Sequence, residues 1–436
     1  MTLHREPEPT FEEAEEALSE GDAIFRTRRP GTVLSALSHV AFRRMWIGSF
    51  ASNIGTWMQT LVLGAYAYDL TGSSAFVGLL TFAQLGPLLL LGLFGGLFAD
   101  LFDRRLLLIV LQLEQAIFSL VLAALVGFGG DPSRWALFAC VFAIGIGNAL
   151  NLPAWSAVLP SLVGRTDLPG AISLNSTQVN LSRVIGPAIA GVLYPIVGPS
   201  WIFVTNAATY LFVVAALLSV RFPAVPRSAS KGWDNLVLGL RVARSNPVVG
   251  RILVTLPIFS FFCLPFIGLF PAIAAGYLDL DTDTFAYGAL YACFGVGAAI
   301  GALSIGTVLA GTDKAKLTRV GLAGFGVAVF VFGLLRSPAI AYGVVLVLGA
   351  VYFGTVTAMM TVLQETLADE VRGRVMALWF MAFGGTIPLG ALVFGPLLDA
   401  TNSTVLLSIA GGVALALAWW CDLPAAIVRS RREAVA

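Results

Sequence analysis

The stretch Gly95-Gly96-Leu97-Phe98-Ala99-Asp100-Leu101-Phe102-Asp103-Arg104-Arg105 decides the fold. It packs two acids and two arginines between the apolar runs Phe76 to Phe98 and Leu106 to Phe128, each long enough to cross a hydrocarbon layer as a helix. A charged turn between two such runs belongs at a membrane surface. Composition agrees with this placement: 58% of the 436 residues are hydrophobic and only 12% charged, where a soluble chain would be about a quarter charged. Mean hydropathy is +0.87. Lipid offers no hydrogen-bond partners, so the spans must be helices or a closed barrel. Long apolar runs without period-two alternation select helices.

Working outward from the turn, spans 1 to 12 are read at residues 46–68, 74–99, 106–128, 134–158, 171–195, 200–220, 252–276, 284–310, 317–335, 338–362, 375–398 and 404–424. The fold class is therefore an all-α membrane protein. All but three of the 26 Lys and Arg residues fall at the termini or in alternate loops. The exceptions are Arg134 and Arg336 in the opposite loops and Arg183 inside span 5. By the positive-inside rule both termini are expected in the cytoplasm, and one span too many or too few would scramble the alternation. Cys140, Cys263, Cys293 and Cys421 all lie within spans and imply no disulfide framework. The acidic tract Glu12-Glu13-Ala14-Glu15-Glu16 does not resemble a cleaved signal.

The longest loop divides the spans six and six. The expected organisation is a tail over 1–40, a six-helix bundle over 41–221, a linker over 222–250, a second bundle over 251–425 and a tail over 426–436. Within the linker, Trp233 to Arg244 reads as an amphipathic helix at the membrane surface, or equally as a solvated linker covering the bundle. The halves repeat at an offset of 210 residues, which pairs Gly78 with Gly288, Gly96 with Gly306, Asp103 with Asp313 and Arg104 with Lys314, but Asp100 with Ala310. A weak six-span repeat suits a transporter whose site lies between two pseudo-symmetric bundles.

Gly96, Asp100, Arg104 and Arg105 match the Gly-x-x-x-Asp-x-x-x-Arg-Arg motif between spans 2 and 3 of the major facilitator superfamily, which the chain resembles from about residue 41 onward. Leu101 and Asp103 depart from that pattern, where a basic residue and glycine are usual. Within the superfamily the chain is similar to the exporter group of transmembrane secretion effectors, enterobactin exporters and macrolide efflux proteins. That likeness is carried by Asn151-Leu152-Pro153-Ala154-Trp155, Arg183-Val184-Ile185-Gly186-Pro187, Arg244-Ser245-Asn246-Pro247 and Arg372-Gly373-Arg374-Val375. Gly186-Pro187 resembles the Gly-Pro pattern of such exporters, implying a kink that is either pliable or merely structural.

The chemistry-bearing residues point the same way. His4 and His39 lie outside the spans, and neither a zinc-protease motif nor a phosphate-binding loop is present, so the chain is not expected to act as an enzyme or to hydrolyse ATP. No cofactor, metal or nucleic-acid partner is implied, and a monomer is expected in the inner membrane. Arg183 is expensive to bury and should face an aqueous cavity or a carboxylate. Helical spacing groups it with Ser176, Asn180, Pro187 and Tyr194 in span 5, alongside Asn53, Trp57, Thr60 and Gly64 in span 1 and Asn148, Asn151 and Trp155 in span 4. These stripes line a shared cavity, or their amides bind helices together. Phe262, Tyr352 and Met359 are the candidates for an opposite, adaptable wall, with lipid-facing packing as the alternative. Glu114 is the candidate for proton coupling, or a carboxylate that simply hydrogen-bonds a neighbouring helix. Asp100 is expected to act as a conformational gate with Gly96, Arg104 and Arg105, reaching the positive end of span 11 near Arg374; the alternative is that the arginines only set topology.

The expectation is a secondary active exporter of an amphiphilic organic compound, coupled to protons. Two alternatives are a dedicated siderophore or lysolipid exporter or flippase, and a transport-inactive sensor or scaffold.

Overall fold

The computed structural model describes residues 31–101, 103–128, 132–220 and 232–427. All regular structure among the described residues is helical. Span 1 lies in the helix Val40–Thr71, span 2 in Ser74–Leu101 and span 3 in Arg104–Phe128. Spans 4, 5 and 6 form one run, Arg134–Ser219, folded back on itself at Gly164 (φ 72°, ψ 174°) and Gly198 (φ 75°, ψ 174°). That backbone geometry is open essentially to glycine alone, so two residues make both reversals. Both fall in the gaps that hydropathy leaves between these spans.

Span 7 differs from the continuous helix expected over 252–276. It is built from Pro247–Cys263, Pro265–Gly268 and Phe270–Leu278, with interruptions at Leu264 and Leu269. Pro265 follows the first interruption, and Pro271 is the second residue of the last helix. Each proline removes a backbone donor, and a broken helix is tolerated at membrane depth where it is enclosed by protein or lines a cavity. Spans 8 to 12 follow as Phe285–Gly306, Lys314–Leu334, Pro338–Thr366, Asp369–Ala400 and Ser403–Trp420. Among the described residues the spans number twelve, arranged as two six-helix bundles.

The repeat has structural content. Asp103 accepts a hydrogen bond from the Leu106 amide at the start of span 3 (2.8 Å), and Asp313 accepts from the Ala315 and Lys316 amides at the start of span 9 (2.9 and 3.3 Å). The paired acids thus cap equivalent helices. Arg105 donates to the carbonyls of Leu217 and Leu218, which end span 6 (2.9 and 2.8 Å). The linker forms the helix Gly232–Ser245, and Gly239 sits against Leu378 and the Arg374 carbonyl of span 11. Its earlier residues, like the terminal tails at 1–30 and 428–436, lie outside the described residues.

Because twelve helices alternate in direction, both described chain ends, the linker helix and the basic loops gather at one end of the molecule, here called the basic end. Arg251 donates there to the Asp422 carbonyl (2.8 Å), and Arg319 lies 3.5 Å from the Asp422 carboxylate. In the turn between spans 4 and 5, Asp167 accepts the Gly31 amide at 2.9 Å and meets His39 Nε2 at 2.8 Å.

The Gly31 amide, and after it the His39 ring, hold the Asp167 carboxyl below its ordinary range. A carboxyl depressed in this way contributes stability above its unfolded pKa and loses it as pH falls through the folded value. Asp167→Asn should therefore raise amide hydrogen exchange across residues 31–44 at neutral pH, and acidifying the wild type below about pH 4 should do likewise. Unaltered exchange in the variant would mean that this strap is held by other contacts.

Candidate functional site

Two kinds of contact close the interface between the bundles at the end opposite the basic one. The first is bare backbone. A methyl group on Gly191 of span 5 would strike Gly288 of span 8, and one on Gly288 would strike Gly191. Gly78 in span 2 likewise abuts the Ala391 carbonyl of span 11, and Gly64 abuts Pro271. The second kind is a carboxylate reaching across. Asp399 at the end of span 11 accepts the Ser73 hydroxyl (2.8 Å) and the Ser74 and Ala75 amides (2.7 and 2.9 Å), capping span 2. Asp69 accepts from Thr282 at 2.5 Å and from Tyr194 at 3.5 Å.

From this seal a cavity of about 510 Å³ runs between the bundles toward the basic end, where Met45, Leu108 and Trp155 belong to its lining. Among the described residues, no extensive packing joins span 10 to spans 4–6. The cavity is thus shut at one end and reaches toward the other.

One wall is polar and comes from the first bundle. Trp155 Nε1 and Gln178 Nε2 both donate to Asn175 Oδ1 at 3.0 Å, and Gln84 Nε2 donates to Thr60 Oγ1 at 2.8 Å. Gln112 Nε2 approaches Asn151 Oδ1 at 3.4 Å. Several buried atoms have no protein partner, including Gln112 Oε1, Gln178 Oε1, Tyr287 Oη and Arg183 Nε. The Arg183 guanidinium lies between the Trp57 ring of the first bundle (5.2 Å to the centroid) and the Phe353 ring of the second (5.0 Å). Such cation–π contacts are worth about 2 kcal/mol when desolvated, whereas a buried charge that loses its ionic partner costs roughly 3–5 kcal/mol.

Nine residues named from sequence line this space: Asn53, Trp57, Thr60, Gly64, Asn148, Asn151, Trp155, Arg183 and Tyr352. Ser176, Asn180, Pro187, Tyr194, Phe262 and Met359 do not. The cavity face of span 5 is Asn175, Gln178, Val179 and Arg183, so Asn180 falls one stripe away and bonds the Ser176 carbonyl at 2.9 Å. Phe262 packs on Phe261 and Phe394, with centroids 4.9 and 5.9 Å away, and Met359 is fully buried. Most of the aromatic crowd in the second half fills a core instead, as in the edge-to-face pair Phe259 and Phe325 at 5.0 Å. Sequence reasoning missed Gln84, Gln112, Asn175, Gln178 and Tyr291 as lining.

Glu114 does not line the cavity. It lies between spans 3 and 4, where a methyl group on Gly147 would strike its Oε2, and that oxygen is buried without a hydrogen-bond partner. The backbone stays helical through Gly186 and Pro187. Gly186 lets span 1 approach at Ile54 and Trp57, which sets the Trp57 ring beside Arg183. At the motif, the helix carrying Gly96 and Asp100 is described, but the Asp100 side chain is outside the described set. Arg104 opens span 3, and Arg374 lies in the first turns of span 11.

Two bundles around a central cavity define the class, a transporter of the major facilitator type. Solved structures with this fold include the nucleoside transporter NupG (TM-score 0.69, 12% identity, covering 88% of this chain and 98% of that one). A bacterial homolog of the human lysosomal transporter Spinster is also similar (TM-score 0.65, 15% identity, covering 89% and 94%). The chain belongs to the transmembrane secretion effector family, whose profile matches residues 31–431. Curated relatives include the enterobactin exporter EntS of Citrobacter koseri, 28% identical over 369 residues, covering 83% of this chain and 86% of that protein. The enterobactin exporter of Shigella boydii serotype 4 is 27% identical over 368 residues, with the same coverage.

If Asp399 helps seal the far end, Asp399→Asn should weaken that seal by about 1–2 kcal/mol, or roughly tenfold in the closed-to-open ratio. A cysteine replacing Tyr287, in a background without the native cysteines, should then react faster with a membrane-impermeant maleimide added on that face. Equal rates would remove Asp399 from the seal.

Proposed function

We propose that this protein is a secondary active exporter that takes up an amphiphilic organic compound at the basic end and releases it at the opposite end by alternating access. The observation carrying this reading is the cavity between the bundles, sealed far from the linker and reaching toward the basic end. Its volume falls within the range of pockets for drug-sized ligands. The excess of Lys and Arg in the linker and alternate loops supports a cytoplasmic basic end with both termini inside, and hence loading from the cytoplasm. The bundles are assigned to 41–221 and 251–425, the protein to the inner membrane as a monomer, and Asp100 with Gly96, Arg104, Arg105 and Arg374 to the gate that closes the cytoplasmic side.

Protons are the proposed coupling ion and Glu114 the group that carries them. A half-buried acid between two helices of the first bundle, with one buried oxygen unpartnered, supports that assignment. A dedicated siderophore exporter is the second reading, favoured by relatives that are named enterobactin exporters. A scaffold without transport has no use for a cavity of this size lined by unpaired amides.

Two variants test the scheme in cells and in proteoliposomes. Arg183→Ala should lower efflux at least about tenfold, the equivalent of 1.4 kcal/mol, while the protein remains folded in the membrane; near-normal efflux would take Arg183 out of the site. Glu114→Gln should keep cargo binding yet lose the response to an imposed pH gradient. A wild-type pH response in that variant would end the proton assignment.

A further inference from the structure

The cavity has a charge with no countercharge. Among the described residues that line it, Arg183 is the sole charged side chain, and none is Asp or Glu. Tyr291 and Tyr352 also line it, and their neutral phenols supply no countercharge. Asp69 and Asp399 are held in the distal seal by Thr282 and by Ser73, Ser74 and Ala75, and Glu114 lies behind the wall. Arg183 Nε is buried without a partner, and the rings of Trp57 and Phe353 flank the guanidinium.

A guanidinium withdrawn from bulk water is strongly destabilised unless an anion or several acceptors meet it. The protein supplies aromatic faces and neutral amides. We infer that the countercharge is the cargo's: the exported compound is an organic anion whose carboxylate, sulfonate or phosphate pairs with Arg183 while a flat apolar body lies against Trp57 and Phe353. The fork of N–H donors on guanidinium suits a planar oxyanion, and a neighbouring ring leaves a stacking surface for an aromatic body. This rests on the export reading above and adds the charge sign of the cargo.

The pairing also bears on energetics. Loaded, the site holds an ion pair with no net charge; unloaded, it holds one positive charge. An interior-negative potential therefore acts on the returning empty carrier, drawing Arg183 back toward the cytoplasm. Net export of an anion is then helped by the membrane potential as well as by any proton carried elsewhere.

The test uses two probes of nearly the same shape, 1-naphthoate and 1-naphthamide, titrated by calorimetry into the full-length protein in lipid nanodiscs at neutral pH. Wild type should bind the carboxylate at least about tenfold more tightly than the amide. Arg183→Gln should bring that ratio close to one, and Arg183→Lys should keep a preference for the anion. Because the wild-type ratio alone can refute the proposal, it does not depend on the variants folding. Measurable but equal binding of both probes overturns the anionic cargo and leaves the export reading standing. Failure of both to bind removes this cavity as the loading site and overturns both readings. An unchanged ratio in Arg183→Gln would assign the preference to another group.

Discussion

At the end away from the linker, the two bundles meet where side chains are missing. Gly191 faces Gly288, and Gly78 faces the Ala391 carbonyl, at distances that a single methyl group would abolish. Lipid provides little hydrophobic drive for helix association, so close backbone approach and dispersion have to hold this face together. The rest of the architecture follows from its location. Tight contact at one end and, among the described residues, none of comparable extent between span 10 and spans 4–6 tapers the interface, and the taper is the cavity. The same glycine logic operates inside the first bundle, where Gly186 admits span 1 and so brings Trp57 to Arg183.

Within that cavity polarity is distributed unevenly. The first bundle contributes amides that largely bond each other, as Asn175 does with Trp155 and Gln178, leaving acceptors such as Gln178 Oε1 spare. The second contributes rings, of which Tyr287, Tyr291, Phe294, Tyr352, Phe353 and Phe383 reach the space. Unused acceptors and a guanidinium are costly in a closed interior and cheap in a hydrated one, so the cavity favours contents that are polar on one side.

Much of the fold was legible because bilayer thickness and loop charge each constrain it independently. The gaps read between spans 4, 5 and 6 contain Gly164 and Gly198, and the 210-residue offset joined Asp103 to Asp313, both helix caps. Finer features were not written in hydropathy. Span 7 is as apolar as its neighbours, yet Pro265 and Pro271 break it. In span 5, Ser176 and Asn180 share a polar stripe beside the one that faces the cavity, and a helix polar on two adjacent stripes does not reveal which turns inward. Gln84 and Gln112 were overlooked because an isolated amide in an apolar run is equally suited to bonding a neighbouring helix, as Gln84 also does with Thr60. Phe262 and Met359 failed for the converse reason: aromatic and thioether side chains fill cores as readily as they line sites.

Asp399 belongs to the second bundle, whereas the amides of Ser74 and Ala75 that it binds open a helix of the first. Span 2 therefore borrows its N-terminal cap from across the interface. Were the bundles to part at that end, the separation would do more than expose two surfaces: it would leave the Ser74 and Ala75 amides as donors that water must take up, while Ser73 Oγ would still accept the Phe76 amide (3.3 Å). The start of span 2 thus owes part of its capping to the other bundle, and that part is lost whenever the seal is.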